Sequence, residues 1–270
     1  MKRTFKNHLL ESGEPKFPQT KEEFETAVND FIDCIDGSTE VKMNTGEYFL
    51  VVNGNVNFDK STFEQLPFKF STVTGDFSIK FCKNLKTLKG GPSYVGENIN
   101  CSHCDSLTNL NGLGGVLCQG ALIAANCQNL EMIIDRYDPD FSVYSPKFTY
   151  CLNVILSNNP KLKSLEGINW VQHILNITES PNISLKTLYR DFKFSESGKG
   201  ELIIFSGGDV NTNSDGALGV MKIKNLKSIL NSDNLQPWAT IINDGLKAGK
   251  NIFDVQDDLL AAGFEKEATL

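Results

Sequence analysis

The chain has 270 residues, of which 40% are hydrophobic and 22% are charged, and it contains 18 phenylalanines. This composition excludes a fully disordered or collagen-like chain, and the length allows one long domain or two short ones. The formal net charge of -7 is the opposite of the basic surface that nucleic-acid binding requires. A nucleic acid is therefore not an expected partner.

Seven cysteines are an odd number in a chain that is too large to need disulfide bonds for stability. They favour reduced thiols and therefore predict a cytoplasmic protein. The first residues lack the apolar segment of a signal peptide, and no run of 18 apolar residues occurs along the chain. No membrane association is expected, and no motif indicates a cofactor.

The first predicted element is an amphipathic helix over residues 21–35, which ends by Gly37. Thr20 and Glu23 have the spacing of a capping box, in which each side chain binds the backbone amide of the other residue. The apolar side chains that follow at helical spacing are Phe24, Val28, Phe31 and Ile32. Residues 1–48 are accordingly predicted to form an N-terminal helical cap.

From residue 49 to residue 205 the chain repeats a short motif. Cys or Asn is followed by Leu three residues later and by Leu or Ile six residues later, and we call the Cys or Asn the anchor position. The spacings between successive anchors are 22, 23, 32 and 23 residues, which are those of leucine-rich repeats apart from one long unit. The five anchors are Cys82, Cys104, Cys127, Asn159 and Asn182.

A short strand is predicted before each anchor, because apolar residues stand five and three positions ahead of it. In the fifth unit Ile177 is followed by Glu179, so a weaker strand is expected there. A degenerate unit with Phe63 and Leu66 precedes the clear ones and brings the count to about six. The apolar pairs of the first four units are Phe77/Ile79, Ile99/Cys101, Leu122/Ala124 and Val154/Leu156.

The turns of the units are also alike. Gly90, Gly112 and Gly167 each stand eight residues after an anchor, which predicts a positive φ or a close backbone approach. At the anchor itself, a small inward side chain fills the turn or binds backbone groups that lack partners. Residues 135–147 lengthen one unit with two prolines and three aspartates, and they are interpreted as a loop insertion.

Residues 50–190 resemble an irregular leucine-rich repeat of the cysteine-containing subtype, in which Cys-x-x-Leu follows the strand. Residues 95–110 and 251–264 are similar to leucine-rich-repeat-like accessory proteins of large tailed bacteriophages. The resemblance implies an intracellular protein made during infection and names no activity. The expected fold class is an α+β repeat protein, an irregular leucine-rich-repeat solenoid with an N-terminal helical cap and C-terminal helices.

Side chains that alternate with the buried strand residues form the outer face of such a solenoid, and faces of this kind commonly bind proteins. Its apolar centre and polar rim suit a protein interface better than a phosphate groove. Thr178 and Ser180 are its expected continuation in the fifth unit. The predicted partner-binding residues are Ser78, Lys80, Phe81, Asn100, Ser102, His103, Ile123, Ala125, Asn126, Ile155, Ser157 and Asn158. The open alternative is that the 135–147 loop or the C-terminal helices make the contacts.

Residues 206–270 are predicted to form a C-terminal helical cap or a small effector module. A strand over 201–205 and a polar loop over 207–216 lead into two helices, the second of which ends at Gly263. The apolar residues of the first helix are Trp238, Ile241, Ile242 and Leu246, and those of the second are Phe253, Leu259 and Leu260.

Two patterns resemble metal sites. Cys101 and Cys104, with the intervening His103, have the spacing of zinc ligands, but both cysteines fall on inward positions of the repeat, so packing accounts for them. Residues 209–216 space oxygen ligands as a calcium loop does, but Lys222 stands where a bidentate Glu is required. With only three histidines and no paired carboxylates, neither a metal nor a catalytic residue is expected.

The first functional hypothesis is a non-enzymatic interaction protein of phage origin that binds and modulates or inhibits a bacterial host protein, as an anti-defence or antitoxin-like factor. The alternative is a virion structural or assembly protein. An enzyme with its site in the C-terminal region ranks third. A monomer is favoured over an oligomer, and the ranking of the first two hypotheses rests on analogy between folds.

Overall fold

A computed structural model describes residues 17–113, 116–134, 150–168, 170–204, 214–230 and 236–270. These residues form a parallel β-solenoid of about seven turns, one more than the repeat pattern predicts. The strands are β1 (Ile35–Asn44), β2 (Glu47–Asn57), β3 (Phe70–Val73), β4 (Phe77–Ser78), β5 (Tyr94–Val95), β6 (Ile99–Asn100), β7 (Leu117–Cys118), β8 (Ala121–Ile123), β9 (Cys151–Ile155), β10 (Trp170–Asn176), β11 (Lys193–Phe194), β12 (Glu201–Ile203) and β13 (Ser228–Leu230). The helices are α1 (Lys21–Asp30), α2 (Pro237–Ala248) and α3 (Ile252–Ala261), with short 3-10 helices at Ile32–Cys34, Leu188–Arg190 and Ala217–Lys222.

The strands stack in parallel from coil to coil. The main row runs β2-β4-β6-β8-β9-β10-β12-β13, and a second row, β3-β5-β7, branches from β2, which is long enough to pair with both rows. The predicted repeat solenoid is thus confirmed. The predicted leucine-rich-repeat type is not confirmed, because several coils carry two short strands and the return segment over residues 79–93 contains turns rather than a helix.

The inward register of the repeat is as predicted in the first four clear units. The two strand residues, the anchor and the two following leucines or isoleucines are buried in every one of them. Apolar side chains from successive coils therefore stack in columns and form one continuous core. The predicted loop insertion at 135–147 lies outside the described residues.

The fifth unit differs from the prediction by two residues. Leu175 and Ile177 are the buried strand residues, and the buried side chain that follows them is Ser180, whereas Asn182 is exposed. The Ser180 hydroxyl donates to the carbonyl of Leu156 at 2.9 Å, which is the contact that an anchor makes with the preceding coil. Ser180 is therefore the anchor, and Pro181 and Asn182 lengthen the turn before the buried leucines.

The helix α1 begins at the predicted capping box, in which Thr20 Oγ1 accepts from the amide of Glu23 and the Glu23 carboxylate accepts from the amide of Thr20. The helix ends at Asp30, earlier than predicted, and Ile32 lies exposed in the 3-10 turn that follows. Phe24 and Phe31 join an aromatic cluster in the first coils, with ring centroids 5.1–6.4 Å apart. The members of this cluster are Phe24, Phe31, Phe58, Phe63, Phe68, Phe70 and Phe77.

A ten-residue strand, β1, lies within the segment predicted as a helical cap. It pairs antiparallel with β2 through the two-residue turn Thr45-Gly46, where both residues have positive φ. This is the geometry that joins antiparallel strands most tightly. Strand β1 is not apparent from the sequence pattern, because eight of its ten residues are exposed and no alternation of buried and exposed residues marks it.

At the other end of the solenoid, α2 packs against β13. The Ile229 amide donates to Asn243 Oδ1 of α2 at 3.2 Å, and Trp238 and Ile242 of the same helix are buried. All three apolar residues predicted for the second helix lie in α3, where Leu259 is buried and Phe253 and Leu260 are exposed. No helix in the part of the chain that the structure describes is long and apolar enough to cross a membrane.

One partly buried carboxyl makes folding stability depend on pH. Burial raises the pKa of Asp191, and its Oδ2 accepts from the Leu165 amide at 3.1 Å. Because the folded-state pKa is raised, ionisation of Asp191 costs folding stability once the pH rises above the unfolded-state pKa. We expect Asp191→Asn, which keeps an acceptor for Leu165, to raise the melting temperature by about 1–3 °C at pH 7 and to leave it unchanged near pH 3. Calorimetry at both pH values tests this, and an equal gain at both would contradict it.

Candidate interaction surface

The outer sheet face is formed by side chains that point away from the core along the main row of strands. The register of the strands aligns one residue from each coil into a single line across this face. These half-exposed or exposed residues give the face a continuous ridge. They are Asn57, Ser78, Asn100, Ile123, Ile155, Asn176 and Ile203.

A second line of residues lies two positions further along each strand, and part of it is less accessible than the sequence predicts. Ser102 and Ala125 are only 7% and 8% exposed, and Thr178 is also buried. Ser180, which was also predicted for this face, is instead the inward anchor of the fifth unit. The Ser102 hydroxyl accepts from the Ala125 amide at 3.3 Å, so it is occupied within the sheet. Of this line, Lys80 and Ser157 keep accessible side chains.

A third line runs along the corner where each strand turns into the anchor. Its members have positive φ although none is glycine, and the amide of each member from Lys60 to Asn158 donates to a carbonyl of the next coil. Phe81 and His103 stack with centroids 4.4 Å apart and planes 11° apart, and Asn158 Nδ2 donates to Asn126 Oδ1 at 2.6 Å. The recurring left-handed residues are Lys60, Phe81, His103, Asn126, Asn158 and Glu179.

The N-terminal half of the face is polar and tied together by hydrogen bonds. Asp59 Oδ1 accepts from the Ser78 hydroxyl at 2.6 Å and from the Lys80 amide at 2.8 Å, and Lys80 Nζ lies 3.2 Å from Asp59 Oδ2. A depression of about 430 Å³ covers this half. Asp59 was not among the predicted residues, because it precedes the first clear motif.

A polar ladder borders the same depression. Asn55 Oδ1 accepts from the Asp76 amide at 2.8 Å, Asp76 Oδ1 from the Asn98 amide at 2.9 Å, and Asn98 Oδ1 from the Ala121 amide at 2.9 Å. Each side chain thus bonds to the backbone of the next coil. Asn or Asp six residues before the anchor is the sequence signal that would have identified this ladder.

The C-terminal half of the face is apolar. Ile123 lies opposite Ile155 on the adjacent strand, and both side chains are half-buried on the outer side of the sheet. Ile203 continues the line beyond Asn176. The face therefore changes along the solenoid from an ordered polar surface to a part whose outward side chains include Ile123, Ile155 and Ile203, with Asn176 between the last two.

The cysteines beneath this face are buried side chains of the core. The thiols of Cys82, Cys104 and Cys127 are buried and donate to carbonyls of the preceding coil at 3.1–3.3 Å. Burial raises the pKa of Cys101 and raises that of Cys127 to about 11, while a hydrogen bond with Cys82 and burial together raise that of Cys104. At neutral pH the thiols of Cys101, Cys104 and Cys127 therefore stay protonated, and a protonated thiol is a weak nucleophile. A hydrogen bond with Cys104 lowers the pKa of Cys82, whose buried thiol donates to the Phe58 carbonyl.

The described ranges contain no cluster of three or more His, Cys, Asp or Glu side chains that could bind a metal ion. Residues 209–213 of the calcium-like pattern lie outside those ranges. Comparison of the chain with family models, curated proteins and solved structures gives no match. The arrangement of the outer sheet face is therefore the observation on which a functional proposal has to rest.

Proposed function

We propose that this chain is a non-enzymatic interaction protein that binds a partner protein through the outer sheet face. The observation that carries the proposal is the accessible pair Ile123 and Ile155 on adjacent strands, next to a rim of hydrogen-bonded polar side chains. An apolar centre surrounded by polar residues is typical of protein interfaces. The ladders that fix the polar half preorganise it, so little side-chain entropy is lost on binding.

The composition of the face also favours a protein partner over a nucleic acid. Lys80 is its main cation, and Asp59 neutralises it at 3.2 Å. Asp36 and Asp76 add negative charge around the same depression. Nucleic-acid backbones require clustered unpaired Lys and Arg, which this face does not offer in the described residues.

The class of partner follows from the resemblance of the repeats to leucine-rich-repeat-like phage proteins. Accessory proteins of that kind act inside an infected bacterium, so the proposed partner is a bacterial host protein that is modulated or inhibited, such as a defence component or a toxin. The phage origin, the cytoplasmic site of action and the leucine-rich-repeat type belong to this proposal.

The proposal assigns the terminal helices to capping the core. Phe24 and Val28 of α1 are buried against the first coils, and α2 packs on β13, the last strand of the main row. Solenoid ends expose apolar surface that requires such covers. The cap role leaves the outer sheet face free for a partner.

The double variant Ile123→Asp/Ile155→Asp tests the proposal. Two carboxylates at the apolar centre would have to be desolvated on binding, so we expect capture of a host protein to fall by at least about 100-fold. The measurement is affinity capture by the tagged full chain from bacterial lysate at physiological salt, followed by mass spectrometry and a binding titration of the stoichiometric protein. Circular dichroism and thermal unfolding establish that the variant is folded.

The matched control is Phe253→Asp/Leu260→Asp, which makes the same chemical change at two exposed apolar residues of α3. If the outer sheet face binds the partner, this control captures it as well as the unmodified chain does. If only the α3 variant loses capture, the partner binds the C-terminal helices and not the outer sheet face. Co-purification of the chain with intact virions, with no host protein retained, would instead support the virion role.

A further inference from the structure

In the part of the chain that the structure describes, the N-terminal edge of the sheet is a long strand that has a neighbour on one side only. Among the described residues, β1 pairs with β2 alone, over ten residues and without a register shift. The opposite end of the main row is protected, since β13 has three residues and is covered by α2. Natural proteins usually shorten, bend or cover an edge strand because its unpaired backbone groups bind other strands. Strand β1 contains no proline and no bulge that would interrupt its edge.

The hairpin turn fixes which backbone groups face the free side. Asn44 and Glu47 flank the two-residue turn and form the pair that exchanges both backbone hydrogen bonds. Along an antiparallel pair, hydrogen-bonded and non-hydrogen-bonded residue pairs alternate. The N–H and C=O groups of Thr39, Val41 and Met43 therefore point away from β2. These groups form a template for an added antiparallel strand.

The charges of β1 are self-complementary about Val41. Glu40 and Lys42 project from the same face, with Lys42 Nζ 3.3 Å from Glu40 Oε2, and their side chains are 61% and 56% exposed. If two copies of β1 pair antiparallel with Val41 opposite Val41, Glu40 of each copy lies directly opposite Lys42 of the other. Opposite charges at directly opposed positions stabilise antiparallel pairing, and like charges destabilise it.

We propose that β1 is a self-association strand, which pairs antiparallel with β1 of a second copy of this chain and joins the two sheets into one. The occupant is a second copy because the Glu40-Val41-Lys42 order complements itself only in that register. Met43, whose side chain is 65% exposed, then lies opposite Thr39 of the second copy and loses contact with water. This dimer differs from the monomer expected from the sequence, in which β1 was not predicted.

Charge-reversal variants of the full chain test the proposal by sedimentation equilibrium. The unmodified chain is expected to form a dimer that dissociates on dilution. Glu40→Lys alone places Lys opposite Lys twice, and Lys42→Glu alone places Glu opposite Glu twice, so each should raise the dimer dissociation constant by at least about tenfold. An equimolar mixture of the two variants should recover a heterodimer, because every opposed pair is then complementary.

The matched control is Glu64→Lys, which makes the same charge change in an exposed ion pair with Lys86 on the solenoid surface. It should leave the dissociation constant unchanged. Hydrogen exchange should in addition slow at the amides of Thr39, Val41 and Met43 as the protein concentration rises. Three results would overturn the proposal. The chain could stay monomeric at all concentrations, Glu40→Lys and Lys42→Glu could leave the dimer dissociation constant unchanged, or the mixture of the two variants could fail to form a heterodimer.

Discussion

Replacement of Asn159 by Leu is expected to lower the free energy of unfolding by about 2–6 kcal/mol. Asn159 is fully buried, its Nδ2 donates to the carbonyls of Ala124 at 2.7 Å and Leu156 at 2.8 Å, and its Oδ1 accepts from the amide of Cys127 at 2.8 Å. Leucine has a similar volume and replaces none of these bonds, and only the Leu156 carbonyl keeps another donor, the Ser180 hydroxyl. Two buried backbone groups then lose their partners, at about 1–3 kcal/mol each.

The measurement is urea unfolding of the variant and the unmodified chain, with the difference in free energy taken at the transition. Asn159→Cys is expected to lose less, because a thiol can donate to the Ala124 carbonyl as the Cys127 thiol donates to Cys101. The matched control is Asn182→Leu. Asn182 is exposed, so its replacement should change stability by only about 0.5 kcal/mol. Equal losses at Asn159 and Asn182 would contradict the assignment of Ser180 as the fifth anchor.

This contrast shows how far the repeat motif determines the fold. The inward positions of the first four units follow from apolar side chains at fixed spacing, and all of them are buried. In the fifth unit the leucine spacing points to Asn182, whereas the strand alternation of Leu175 and Ile177 points to Ser180. The strand register determines the anchor, because its side chain has to reach the Leu156 carbonyl in the preceding coil.

Features that depend on contacts between neighbouring coils cannot be predicted from the sequence pattern alone. The second strand of each coil is two to four residues long in β3, β5 and β7, too short for periodicity to mark it. On the outer sheet face, Ile123 and Ile155 follow from alternation alone. The burial of Ser102 and Ala125 does not follow from alternation, because these residues contact each other only after the coils stack, where the Ser102 hydroxyl accepts from the Ala125 amide.

The hydrogen bonds of Asp59 also depend on contacts between neighbouring coils. Its carboxylate bonds to Ser78 and Lys80, which are 19 and 21 residues away in sequence and adjacent only after the coils stack. The polar half of the candidate site is therefore a product of coil stacking, whereas the apolar half is already present in the sequence pattern. A search for Asn or Asp at one fixed distance from successive anchors would reveal the polar half as well.

A large backbone effect is expected for Gly112→Ala, a loss of about 2–6 kcal/mol. Gly112 has a φ of +94°, and a Cβ there would lie 2.3 Å from the carbonyl carbon and oxygen of Leu88 and 2.4 Å from the amide of Lys89. These atoms are backbone of the preceding coil, so they cannot rotate away as a side chain would. Alanine therefore strains its own backbone and also forces two coils apart.

Gly249→Ala separates these two contributions. Gly249 ends α2 with a φ of +65°, and a Cβ there would meet nothing within 4 Å. Its replacement should cost only about 1 kcal/mol, the strain of a left-handed residue. Urea unfolding of both variants gives the difference, which measures how tightly the coils are stacked at Gly112. A loss at Gly112 no larger than that at Gly249 would mean that the coils separate easily, contrary to the backbone contact between Gly112 and Leu88.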